Sequence, residues 1–280
     1  MNPLTLIGTS HILSILVCIA LIVFLPRAFV NKNDLSKNIL IFTIIFLMLI
    51  NHGMDFYYEG YRDQIKLGLP IHLCDFSSAA IILYFFTKKR EFFLFAFFAG
   101  ISGAGMALLT PDSEYGFPNI HYVRHMIGHA MILLGVSYAI IIDNQRPYLE
   151  DVHKTLLVLS LLLFLMYFIN YLLGPPANYW YVAEKPPGFN VTSLMRDAPY
   201  HMIDIYILAV IVQLISLVWR VMALVATVGA VAAQPGFLRA LSRIAVEVSM
   251  SWMEGFYQRG WTLGVPSPPP TRMFEEEPSA

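Results

Sequence analysis

Apolar residues in this chain gather into seven long runs, each near the length that crosses ~30 Å of hydrocarbon. They cover His11–Leu25, Asn38–Phe56, Leu69–Thr87, Phe92–Leu109, Ile120–Ile142, Thr155–Leu173 and Ile203–Val218. The pattern predicts an all-α fold, a polytopic membrane helical bundle of about seven transmembrane helices. The first run is short enough to resemble a secretion signal. It lacks a basic n-region and a small-residue cleavage site, and Arg27 follows rather than precedes it, so it reads as a retained span.

The segments between the runs set an orientation. The first, third and fifth carry eight basic residues: Arg27, Lys32, Lys37, Lys88, Lys89, Arg90, Arg146 and Lys154. The second, fourth and sixth carry four: Arg62, Lys66, Lys185 and Arg196. Basic residues gather on cytoplasmic loops, so the expectation is an N-terminus outside and a C-terminus inside.

Composition agrees with the runs. Of 280 residues, 57% are hydrophobic and 13% charged, with mean hydropathy +0.62. Soluble domains hold about 45–50% apolar and about 25% charged residues. A net charge of -1 excludes a basic nucleic-acid binder. The two cysteines, Cys18 and Cys74, lie in or beside apolar runs and do not form a disulfide framework. The reading is a multi-pass integral membrane protein. Composition also breaks near Trp219. Beyond it there are five Arg but no Lys, no Asn and one Ile, with Pro266–Pro270 and Glu275–Glu277 closing the chain. Residues 1–218 therefore read as the transmembrane domain. Residues 219–280 read as a divergent extension, either of different origin or a drifting cytoplasmic tail, partly apolar and then Pro/acidic, disordered or helical.

Ionisable groups at membrane depth are costly and mark partners, water or function. Here they are His11; Asn51, His52 and Asp55; His72, Cys74 and Asp75; His121, Arg124, His125 and His129; Asn170; and His201 with Asp204. With spans alternating in direction, all fall in the outer half of the bilayer, which points to a polar pocket opening outward. His129 lies about 14 Å into its run at 1.5 Å per residue, too deep for an end cap. His121, His125 and His129, at i, i+4, i+8, form one helix face. Near Asp75 or Asp112 they offer zinc ligands. Cys74 stands near a helix start at Pro70, where the dipole stabilises a thiolate, although Asp75 beside it opposes one. Walker, dinucleotide and HExxH patterns are absent from the sequence.

Several segments carry a resemblance. They are Leu69-Pro-Ile-His-Leu-Cys74, Leu109-Thr-Pro-Asp112, Gly116-Phe-Pro118 followed by His129, Asn170-Tyr-Leu-Leu-Gly174, Asn178-Tyr-Trp-Tyr181, Lys185-Pro186 and Ala198-Pro199-Tyr200. Across roughly residues 1–218 the chain resembles the YwaF-like bacterial integral membrane family, related to the eukaryotic transmembrane protein 164 branch. The resemblance implies a multi-span helical bundle in a bacterial plasma membrane and, from the eukaryotic branch, a cysteine-dependent acyltransferase acting on membrane phospholipids without a cofactor. It places the nucleophile on Cys74 and its partner on His129. The expected supporting or substrate-binding residues are His11, His52, His72, Asp112, Asn170 and Lys185. Two rival readings remain open. One is a zinc-dependent seven-span lipid hydrolase using His72, His125, His129 and Asp75 or Asp112. The other is a non-enzymatic transporter or sensor using the histidine stripe as a proton path, against which the apolar inner halves of the spans argue. The geometric expectation is that Cys74, His129, His52 and Asn170 line one cavity.

Overall fold

A computed structural model describes residues 4–5, 8–58, 65–111, 113, 115–186 and 190–215, with side chains of the second helix described to Met54. Seven helices and no strand occur among these residues: α1 (Thr9–Phe29), α2 (Asp34–Tyr58), α3 (Leu73–Thr87), α4 (Arg90–Leu109), α5 (Ile120–Ile141), α6 (Leu149–Leu173) and α7 (His201–Ile215). Five are long and apolar enough to cross a membrane, whereas α3 and α7 are shorter apolar helices. Helices suit a bilayer because each satisfies its own backbone N–H and C=O groups. The extension 219–280 lies outside the described residues.

Helix ends depart from the apolar runs where local chemistry decides them. The helices α1, α2 and α6 begin before their runs, since polar residues such as Thr9, Asp34 and Glu150 tolerate a helical first turn. The third helix starts four residues later than its run. Pro70 lacks an N–H and restrains the residue before it, and His72 has extended dihedrals (φ -69, ψ 161) as the N-cap. Asp75, three residues on, accepts the His72 backbone N–H at 2.7 Å and closes the helix start. Cys74 is thus the second residue of α3, and the helix starts at Leu73 and not at Pro70.

The fifth helix is central, touching α1, α2, α3 and α4. Just over half of its span (56%) is buried, against 11% for α1 and 17% for α6, whose outer faces carry exposed Leu13, Phe24, Phe164 and Tyr171. Such apolar exposure suits a lipid surround. The core joins Ile44 and Met48 of α2, Ile81 and Tyr84 of α3, Phe93 and Phe98 of α4, and Leu134 and Tyr138 of α5. Small residues let α5 approach its neighbours closely. A Cβ at Gly135 would sit 2.8 Å from Ile81, and one at Gly128 would sit 2.5 Å from the Asn51 amide nitrogen.

Charges fasten one end of the bundle. The Lys88 ammonium and the Tyr84 hydroxyl donate to Asp143 at 2.7 and 2.9 Å. The Arg90 guanidinium grips Asp151 at 2.9 and 2.5 Å and donates to the Arg146 carbonyl at 3.0 Å, tying the start of α4 to the start of α6. All the histidines but His153 lie toward the opposite end.

Candidate functional site

The start of α3 is held from outside by the segment after α6. Gly174 (φ +63) turns the chain, and the 3-10 turn Tyr179–Tyr181 follows. The side chain of Asn170 brackets Tyr179, accepting its backbone N–H at 2.7 Å and donating to its carbonyl at 3.1 Å. The turn in turn grips the segment leading into α3. Leu69 N–H donates to the Tyr179 hydroxyl at 2.8 Å, and the Trp180 indole donates to the Ile71 carbonyl at 2.9 Å. The His72 ring lies 4.9 Å from Tyr179 and 5.9 Å from Tyr181. Burial pushes the Tyr179 phenol above its ordinary range, so it stays a neutral hydroxyl. Trp180 and Tyr181 sit at φ 58 and 54, left-handed dihedrals that cost non-glycine residues about 1–3 kcal/mol each and persist only where surrounding contacts impose them.

Behind this wall lies a cavity of about 910 Å³. Cys74 and His129 both line it, with His52, His72, Asp75, His121, Arg124 and His125. Its volume falls at the upper end of the range for small-molecule and cofactor sites, about 300–1,000 Å³.

Hydrogen bonds fix the histidine tautomers. The His129 Nδ1–H donates to the His125 carbonyl at 2.7 Å, because a carbonyl only accepts, so the neutral ring carries its lone pair on Nε2. The His125 Nε2–H likewise donates to the Ala107 carbonyl at 3.0 Å, and the two rings meet at a tilt of 39° with centroids 4.2 Å apart. The Ser78 hydroxyl donates to the Asp75 carbonyl at 3.0 Å, so its oxygen accepts the His52 Nε2–H at 2.8 Å. That turns His52 Nδ1 toward Asp75 Oδ1, 3.4 Å away. The other Asp75 oxygen is held by the His72 N–H.

Other expected site residues stand elsewhere. Asn170 is buried (8% exposed) and spends its amide on Met166 and Tyr179, so it supports the wall and does not line the cavity. His11 (1% exposed) donates from Nε2 to the Leu109 carbonyl at 3.2 Å and accepts the Tyr122 hydroxyl at Nδ1 at 2.8 Å, a brace between α1, α4 and α5. Lys185 donates to Asp197 at 3.0 Å and to the Met195 carbonyl at 3.3 Å, outside the cavity lining. Asp112 and the side chain of Asp55 lie outside the described residues. Among the described residues no three His, Cys, Asp or Glu side chains gather closely enough to hold a metal ion. Of the expected zinc set, His72, His125, His129 and Asp75 form no such group, and Asp112 lies outside the described residues.

The packing against Cys74 was not read from the sequence. A Cβ at Gly103 would sit 3.5 Å from the Cys74 sulfur, an ordinary van der Waals distance, so α4 runs directly beside the thiol. The signal was available in the small-residue run Gly100-Ile-Ser-Gly-Ala-Gly105. Ser78 as the partner of His52 was also missed, since it lies twenty-six residues away on another helix.

The TMEM164 family model matches residues 6–223. No curated protein and no solved structure matches the chain.

Proposed function

The chain belongs to the TMEM164 family of membrane proteins, and on that premise we propose that it is a cysteine-dependent phospholipid acyltransferase, its histidine end facing the outer leaflet. The observation that carries this reading is that Cys74 and His129, far apart in sequence, line one cavity of about 910 Å³ with cationic, polar and apolar walls. Such a cavity suits an amphiphile: the cation of Arg124 suits a phosphate, and the apolar walls suit hydrocarbon.

The chemistry follows from the tautomer. His129 Nε2 takes the proton of the Cys74 thiol as general base. The sulfur attacks the ester carbonyl carbon of a donor phospholipid, forming a C–S bond. The N–H groups of Leu73 and Cys74, which precede the first backbone bonds of α3, stabilise the oxyanion, aided by the helix dipole. The C–O bond then breaks, and the His129 imidazolium returns its proton to the departing lysophospholipid oxygen. An acceptor lipid hydroxyl repeats the sequence in reverse: it loses its proton to Nε2, attacks the thioester and releases the thiolate, which regains the proton. Two steps over a covalent thioester replace one difficult transfer. The His52–Asp75 pair fixes the first turn of α3 that carries Cys74.

Transfer of a labelled acyl chain between phospholipids in proteoliposomes tests the reading. Cys74→Ala is expected to abolish transfer, and His129→Ala to lower its rate by about a hundredfold or more. Unchanged transfer in Cys74→Ala would refute the mechanism.

A further inference from the structure

The cavity continues past Cys74 and His129 toward the basic end of the bundle, between α6 and α7. Leu156, Leu159 and Leu163 line it from α6 at i, i+3, i+7, and Ile205, Leu208, Ala209 and Val212 from α7 at i, i+3, i+4, i+7. Each set is one helix face, and each covers about 10 Å along its axis at 1.5 Å per residue. Met48 of α2 and Ile132 of α5 complete the walls. The direction is fixed by the ends of the two helices. His201, which opens α7, donates to the Tyr181 carbonyl at 2.8 Å beside the start of α3, so Val212 is the far end of that stripe. The start of α6 is tied to Arg90 at the basic end, so Leu156 is the far end of the other. Between the helices, the Ser160 hydroxyl and the Tyr206 phenol meet at 3.1 Å.

We infer that this slot holds one long acyl chain of the lipid, with its length selected by the residues farthest from Cys74; the inference rests on the acyltransferase reading of the same cavity. The ordering of the walls supports it. Asn119, His121 and Arg124 come first along α5, then His129 with Cys74 opposite, then the two apolar stripes. A phospholipid has the same order of phosphate, ester and chain, so placing the phosphate at the polar end brings the ester to the sulfur and the chain into the slot. Tyr206, the one polar side chain that α7 adds to the cavity lining among the described residues, is engaged with Ser160, leaving the slot an apolar lining that suits hydrocarbon.

The test separates chain binding from catalysis by using full-length Cys74→Ala protein in nanodiscs. Photo-crosslinkable lysophospholipids bearing an octanoyl or a palmitoyl chain are compared by their labelling, with mass spectrometry locating the adducts. The palmitoyl probe is expected to label α6 or α7 between 156 and 163 or between 205 and 212. Ala209→Phe narrows the slot and is expected to lower palmitoyl labelling relative to octanoyl by about tenfold, the steric penalty of an overpacked wall. Leu159→Ala widens it without adding bulk and is expected to raise labelling by a branched phytanoyl probe. Equal palmitoyl-to-octanoyl ratios in all three backgrounds, or adducts elsewhere, would overturn the inference. Chain-dependent labelling of Cys74→Ala, together with no acyl transfer by the wild-type protein, would sink the acyltransferase reading and leave the slot standing. Acyl transfer with no chain dependence would do the reverse.

Discussion

Replacing Asn170 by leucine, similar in size but without hydrogen-bonding groups, tests what holds the cavity wall. In the wild type the amide accepts the Tyr179 N–H at 2.7 Å and donates to the Tyr179 carbonyl at 3.1 Å, around a residue that is 1% exposed. Its third bond, to the Met166 carbonyl four residues back, duplicates a helical acceptor and matters little. Orphaning a buried polar group costs about 1–3 kcal/mol, and a carbonyl tolerates this better than an N–H. The sum for Asn170→Leu is about 2–4 kcal/mol, concentrated in the turn because the Tyr179 hydroxyl and Trp180 indole anchor only that turn to the start of α3. Hydrogen exchange in nanodiscs reads it directly. Exchange of the segment around Tyr179 is expected to rise by about thirtyfold or more, the factor that corresponds to 2 kcal/mol, while α5 keeps its protection. Asn170→Asp adds a further check. One carboxylate oxygen still accepts the N–H, but the other faces the Met166 and Tyr179 carbonyls, so exchange should rise at least as much. Protection retained within about twofold in both variants would refute the hydrogen-bond argument and leave Asn170 a packing residue.

Three further outcomes follow from the packing. Gly135→Ala is expected to destabilise the bundle by about 1–3 kcal/mol, because its new methyl meets buried Ile81 at 2.8 Å, whereas Gly128→Ala meets the end of the Asn51 side chain, which can swing, and should cost less; thermal unfolding of the two proteins checks the order. Asp151→Ala removes both carboxylate bonds to Arg90 and the acceptor of the Tyr148 N–H; with Arg90 partly exposed to solvent, a loss of about 1–3 kcal/mol is expected in the same assay. Tyr122→Phe deprives the buried His11 Nδ1 of its donor and should destabilise by about 1–3 kcal/mol while leaving the ratio of chain-length labelling unchanged, since neither residue lines the cavity.

The sequence by itself determined the seven helices, because a run of apolar residues long enough to cross hydrocarbon has few other ways to satisfy its backbone. It also determined the single face shared by His121, His125 and His129, since helical periodicity is local, and all three do line the cavity. The late start of α3 was less legible. Pro70 stood in the sequence, but the Asp75 cap and the grip of Tyr179 and Trp180 set the boundary, and the latter come from more than a hundred residues away. Tertiary structure alone decided which polar residues serve the cavity and which serve the scaffold. His11, His52 and Asn170 look alike in sequence, each a polar side chain near the end of an apolar run. His11 found a hydroxyl and a carbonyl between three helices, and Asn170 found the backbone of a turn, so burial consumed their hydrogen-bonding groups. His52 remains on the cavity wall, paired with a serine and an aspartate of α3. Polarity at a given depth is written in the chain, but the partner that satisfies it depends on how helices pack, and that is fixed by close approaches such as Gly135 against Ile81.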